Sequence, residues 1–285
     1  MDFLFPILSA VFQGASVTLD KVILSMRRFN YQLYLAGGFP IYFLATLVIF
    51  LLFGQPPRVQ DFEGTYGLLL AGVILITTVT NLLYYRAVED DGLGEIEMAE
   101  LLKDIPTVLF AGILFVDERM PVVLVAAAVA TLAMAWSHWD HHRFRMRRRT
   151  AHFLFWMLLT QPLLAAAAKH LLVVWHPVSF EFVRTAGATL LLVPWFCRGV
   201  SRRFPKGVIG YLILTNVLSA IGWMLYFTSY KASGVVYTVL IFTLQPFLVY
   251  MVSMLFLKER FRWKRFVGFV IVLLCVGVVQ LVHGG

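Results

Sequence analysis

The stretch GEIEMAELLKDIP, Gly94 to Pro106, sets four carboxylates and a lysine between apolar regions. Wound as a helix, Glu97, Glu100, Lys103 and Asp104 fall within about 60° of Glu100, with Leu101, Met98, Ile105 and Leu102 on the opposite arc. Carboxylates at i and i+4, such as Glu100 and Asp104, do not both ionise cheaply in a low-dielectric site. A stripe of this kind can hold a proton or attract a cation. Lys103 neutralises only one of Glu97, Glu100 and Asp104 at a time, so the stripe stays net negative. Two other readings fit the same residues. They could form static buried ion pairs with Lys21 or Lys169, or EDDGLGEIE could be a solvated loop before a helix that starts later.

Other residues with chemical capacity are scattered along apolar stretches. Lys21 and Lys169 either snorkel to headgroups or act as a pair of gating cations at opposite ends of a pathway. Asp20 stands beside Lys21 and can neutralise it. Gln13 and Gln161 lie about two turns deeper, where an amide must bond another helix or a substrate. Glu181 and Arg184, at i and i+3, read as a local pair. Pro106 and Pro246 each remove a backbone donor inside a helix and free a carbonyl one turn earlier, which predicts kinks. His138, Asp140, His141 and His142 read as a solvated basic turn, so no metal or cofactor is expected. Nucleotide-binding loops, nucleophile motifs and zinc patterns are missing from the sequence.

The elements that position these residues are set by composition. The 285 residues are 60% hydrophobic and 14% charged, which places the chain among membrane proteins. Apolar runs of bilayer-spanning length fall at roughly 3–24, 31–53, 65–86, 95–116, 121–138, 152–174, 178–197, 208–230, 234–257 and 264–282. The expected fold is an all-α polytopic bundle of ten transmembrane helices. The net charge of +8 is segregated between the loops. The side shared with both termini holds Arg58, Arg119 and Lys231, whereas the opposite loops hold seventeen Lys and Arg. Positive loops stay cytoplasmic, so both termini are predicted outside an inner (plasma) membrane. The basic charge is thus a topology signal, and no nucleic-acid partner is expected. MDFLFPILSAVF has no basic n-region and reads as a retained first helix. Cys197 and Cys275 read as packing residues. Most aromatic residues are expected toward lipid or the interface, with Trp139, Trp175 and Trp263 near loop boundaries.

The chain also repeats itself. QGASVTLDKVIL matches QPLLAAAAKHLL at an offset of 148, placing Gln13 over Gln161 and Lys21 over Lys169. LLYYRAVEDDG matches MLYFTSYKASG, with Tyr84 over Tyr226, and DIPTVLFAGILFVDER matches LQPFLVYMVSMLFLKER. Five spans per copy is an odd number, so the copies insert in opposite senses. The predicted units are 1–138 and 152–285, joined by a basic linker at 139–151. Inverted repeats of this type belong to secondary transporters that bind substrate near the midplane.

On these motifs, and on Tyr226, Gly234, Pro246, Glu259, Arg260, Pro106, Glu118 and Arg119, the chain resembles the EamA family of the drug/metabolite transporter superfamily. The resemblance covers nearly its whole length. It implies alternating-access transport of a small metabolite rather than an enzyme, by a monomer or homodimer. It also implies that Tyr84, Trp223, Tyr226, Tyr230 and Tyr237 stand near the cavity, and that Arg184 matches an arginine common in second copies. The acidic fourth helix departs from the family's apolar one. The stripe favours a cationic or zwitterionic substrate, coupled to protons or moved by exchange. An exchanger of anionic or nucleotide-sugar substrates, using Lys21, Lys169 and Arg184, is the alternative; a membrane-embedded enzyme or scaffold is a third.

Overall fold

A computed structural model describes residues 3–26, 29–91, 93–138, 147–197, 207–249 and 263–283. Among these residues there are helices and no strands. In chain order they are α1 (Leu4–Ser25), α2 (Tyr31–Phe53), α3 (Gly64–Asp90), α4 (Leu93–Leu102), α5 (Asp104–Leu114), α6 (Pro121–His138), α7 (Arg148–Leu171), α8 (Pro177–Cys197), α9 (Val208–Ser233), α10 (Val235–Phe242) and α11 (Trp263–His283). A 3₁₀ turn at Val59–Phe62 leads into α3, and residues 245–249 resume the helix after α10. Among the described residues, α1, α2, α3, α7 and α9 are long and apolar enough to cross a bilayer.

Local chemistry accounts for the ends and breaks. The Asn30 side chain accepts from the Leu33 amide and starts α2. Gly234, at φ +87°, turns the chain from α9 into α10 in a conformation that a side chain would resist. The fourth span, read as one helix over 95–116, is instead two, meeting at Lys103. Pro106 supplies no amide to the Leu102 carbonyl, and the helical bond from the Lys103 amide to Ala99 stretches to 3.4 Å. The same break recurs at Thr243 and Leu244, just ahead of Pro246. The third helix runs four residues beyond its expected end at 86, because its final carbonyls find a donor in Lys21.

The packing is reciprocal. α1 lies along α9 and α3 along α7, while α2 packs on α8 and α6 on α11. Polarity is inverted relative to a water-soluble bundle. Leu51, Leu68, Leu109, Ile113, Val125 and Leu190 face outward, and Ser9, Gln13, Ser16, Asp20, Thr215 and Asn216 are buried. Buried hydroxyls bond neighbouring backbones, as Ser9 does with the Gly222 carbonyl at 2.9 Å, which removes the cost of placing them away from water. Trp263 is exposed, but Trp175 is buried at 1% and covered edge-on by Phe62. The 3₁₀ turn before α3 thus takes Trp175 out of the interface expected for it. Trp139 and the histidine cluster lie outside the described residues, apart from the backbone of His138.

Candidate functional site

The broken fourth span points its middle at a cavity of about 120 Å³ between the two halves of the chain. From the first half come Gln13, Ser16 and Asp20 of α1, Asn81 and Tyr84 of α3, Glu100 of α4 and Lys103 at the break. From the second come Gln161 of α7, Arg184 of α8, Asn216 and Trp223 of α9, and Gln245. The amides related by the repeat therefore meet in one space. Gln13 Nε2 donates to the Ser219 carbonyl at 3.1 Å. Gln161 Nε2 has the Met157 sulfur at 3.4 Å, a weak acceptor that leaves the amide available to a bound molecule.

Charges in the cavity are held in pairs. Lys103 bonds Glu100 one turn back, with side chains 11% and 23% exposed. Arg184 bonds Glu181 through Nε at 2.7 Å and Nη2 at 2.6 Å, and its Nη1 reaches Thr77 at 3.3 Å. Its guanidinium sits over the rings of Trp223 and Phe227, at 5.0 and 5.2 Å. Glu181 is fully buried and also accepts from Tyr42 at 2.5 Å and Thr185 at 3.1 Å. Arg184 is thereby fixed in place, whereas the Glu100–Lys103 pair keeps partial access to solvent.

Not every expected residue reaches this space. Asp104 opens α5, is buried, and lies within electrostatic range of the Tyr226 and Tyr230 phenols rather than on the cavity wall. Those two hydroxyls bond one another at 2.9 Å. Tyr226, Tyr230 and the buried Tyr237 pack beside the cavity without bordering it. The Glu97 side chain lies outside the described residues. Pro106 and Pro246 stand one helical turn behind the breaks.

The two repeat-related lysines sit at helix ends. Lys21 donates to the carbonyls of Val88 and Asp91, both at 2.6 Å, at the C-terminus of α3, where a cation meets the negative end of the helix dipole. Lys169 bonds Asp117 at 2.5 Å and Glu118 at 2.6 Å, and lies over the Phe115 ring. That hydrogen bond holds the Asp117 carboxyl below the usual carboxylate range. Asp20 accepts from Tyr34 and Thr215.

Several lining residues escaped the sequence reading. Asn81, Asn216 and Gln245 are amides inside apolar helices, and the criterion applied to Gln13 and Gln161 would have found them. The Glu181–Arg184 pair is the one the i, i+3 spacing announces, whereas the Glu118 carboxylate accepts from the amides of Val235 and Val236 through tertiary contacts that no spacing announces.

Comparison with known proteins agrees with this architecture. Residues 153–281 match the sequence profile of the EamA-like transporter family. That region is EamA-like, a family of the drug/metabolite transporter superfamily. One crystal structure of a protein, 13% identical, superposes over 99% of this chain and 96% of its own, with a TM-score of 0.74. At that identity the likeness shows a shared fold alone. No sequence match is found among curated proteins. The match over residues 153–281 and the apolar helices point to a multi-pass integral membrane protein.

Proposed function

We propose that this chain is a secondary transporter that carries a small zwitterionic or cationic metabolite by alternating access. The observation that carries the reading is the cavity between the halves, where two carboxylates, Asp20 and Glu100, face two cations, Lys103 and Arg184. With Glu181 already on Arg184, the charges leave one excess carboxylate, which matches a molecule bearing an ammonium beside a polar or anionic group. Trp223 and Tyr84 add aromatic faces suited to an ammonium. A purely anionic substrate would have to displace the carboxylates already on Lys103 and Arg184, at a cost set by leaving those carboxylates buried and unpaired.

The chain would cross the bilayer ten times as two inverted five-helix repeats, residues 1–138 and 152–285. Reciprocal packing of α1 on α9 and α3 on α7 supports this, because a pseudo-two-fold axis exchanges those two pairs. Charge segregation puts the basic loops in the cytoplasm and both termini outside. Coupling is to protons or by exchange, and the unit is a monomer or homodimer.

The test is uptake into proteoliposomes of labelled amines, amino acids and nucleotides, with and without a pH gradient. The expected result is saturable uptake confined to solutes with an ammonium group. Uptake restricted to anions, or no uptake of any solute, contradicts the reading.

A further inference from the structure

We propose that Asp20, together with the hydroxyls of Tyr34 and Thr215, is the proton-binding site of this transporter. The proposal rests on the transport reading and deepens it by naming the group that carries the coupling proton. Asp20 is 4% exposed, lies in the last third of α1 and borders the cavity. Its Oδ1 accepts from Tyr34 Oη at 2.5 Å and Thr215 Oγ1 at 2.6 Å. Among the described residues no salt bridge to Asp20 is formed. An intramembrane carboxylate without a cation is costly as an ion and inexpensive once protonated.

The neighbouring hydroxyls accommodate both states. Thr215 has one hydroxyl hydrogen and three acceptors within reach, Asp20 Oδ1 at 2.6 Å, Ser16 Oγ at 2.9 Å and the Ser16 carbonyl at 3.0 Å. With Asp20 ionised, the hydrogen lies on the carboxylate. With Asp20 protonated, the carboxyl O–H donates to Thr215 Oγ1, and the threonine hydrogen turns to the Ser16 carbonyl. No heavy atom has to move, so a proton can be taken up or released without leaving a polar group unsatisfied.

The other half of the molecule shows that packing does not require this cluster. The repeat offsets place Ala168 at Asp20, Leu164 at Ser16, Val73 at Thr215 and Phe227 at Tyr85. Phe180 packs on Phe227 with centroids 4.8 Å apart, as Tyr34 stacks on Tyr85 at 4.2 Å. All five counterparts are buried in one apolar cluster. At these positions the α3–α7 contact is therefore closed by hydrocarbon, its polar bonds, such as Trp156 to Thr80 and Thr150 to Asp91, lying at other positions. At the matching positions the α1–α9 crossing and the adjoining faces of α2 and α3 carry a carboxylate and four hydroxyls, which helix association alone leaves unexplained.

The groups facing Asp20 leave its charge as the variable one. On α1, Lys21 reaches the carbonyls of Val88 and Asp91. α2 offers Tyr34, α3 offers Tyr85, and α9 offers the neutral Thr215 and Asn216. Across the cavity, Lys103 is paired with Glu100 and Arg184 with Glu181. With both cations already paired, ionised Asp20 leaves one excess negative charge at the cavity, and protonating it leaves none. A substrate ammonium and the proton become alternatives, which gives exchange of one for the other.

The test is the pH-induced infrared difference spectrum of the reconstituted full chain, which reads proton binding without any transport. The wild type should show the carbonyl stretch of a buried protonated carboxyl, titrating with pH. Asp20→Asn should lose that band, and Asp104→Asn should keep it. Thr215→Val retains the carboxyl but removes a donor to its ionised form, so the titration should move to higher pH. A wild type with no titrating band, a band that survives Asp20→Asn, or an unmoved midpoint in Thr215→Val each overturns the proposal. Uptake measured on the same vesicles separates this result from the transport reading: a titrating Asp20 without uptake sinks only the latter.

Discussion

Glu118 and Lys169 come from opposite halves of the chain and meet at 2.6 Å. The same carboxylate accepts from the amides of Val235 at 2.7 Å and Val236 at 3.0 Å, capping the N-terminus of α10. One side chain thus satisfies two orphan amides and the positive end of a helix dipole while tying α7 to the first half. Gly234 makes room for it. A β-carbon there would stand 2.5 Å from Glu118 Oε1, on a backbone at φ +87°.

Removing this carboxylate should therefore be expensive. Glu118→Ala is expected to destabilise the chain by about 3–5 kcal/mol, the range for breaking a buried pair by deleting one partner. Asp117→Asn touches the same ammonium, but Asp117 is 70% exposed, and the effect should stay within about 0.5 kcal/mol. Gly234→Ala displaces the Glu118 carboxylate, so its cost should overlap with that of Glu118→Ala and be less than additive in the double variant. Thermal unfolding of detergent-solubilised protein measures all four. Equal losses for Asp117→Asn and Glu118→Ala would contradict the assignment.

His176, in the turn before α8, gives the pH dependence a sign. Burial lowers its pKa below 6.5, helped by the nearby Lys231. The folded chain then binds fewer protons than the unfolded chain below that value, so stability falls as pH drops from about 6.5 toward the lowered folded pKa. Above that range the contribution is fully present. His176→Gln should flatten this part of a melting-temperature profile against pH. A variant profile with the same slope as wild type would show that His176 is not the group responsible.

How much of this was legible follows from what each residue needs. Gln13 and Gln161 stand out because an amide inside an apolar helix must find a partner, and both border the cavity. Lys103 and Glu100 were legible from spacing, since neighbours at i and i+3 share a face. The break between α4 and α5 was only half legible. Pro106 marks the lost bond, but a wheel drawn through it carries Asp104 onto the cavity face, whereas the turn at Lys103 sends it toward Tyr226 and Tyr230. Trp175 was misplaced because the 3₁₀ turn that covers it comes from a distant part of the chain. Contacts such as Glu118 with α10 depend on how the two halves dock, and no local pattern encodes them.

The placement of the two acids separates their roles. Glu100→Gln removes the partner of Lys103 at the cavity wall and should lower substrate affinity by about tenfold or more, equivalent to about 1.4 kcal/mol. Asp104→Asn, behind the wall, should change affinity by less than about threefold. Concentration-dependent uptake of a transported ammonium solute checks this. Equal losses of affinity would mean that both carboxylates meet the substrate.

The central claim is that a wet space between the two halves receives the substrate. Its most direct measurement is thiol accessibility in a chain with Cys197 and Cys275 replaced by Ser, carrying Gln13→Cys, Gln161→Cys or Leu109→Cys. The first two positions border the cavity, and Leu109 faces outward at 55% exposure. A membrane-impermeant thiol reagent should modify both cavity cysteines, a transported solute should protect them, and Leu109→Cys should stay unmodified within lipid. If neither cavity position reacts from either side of the membrane, or if solute never protects them, the account is contradicted.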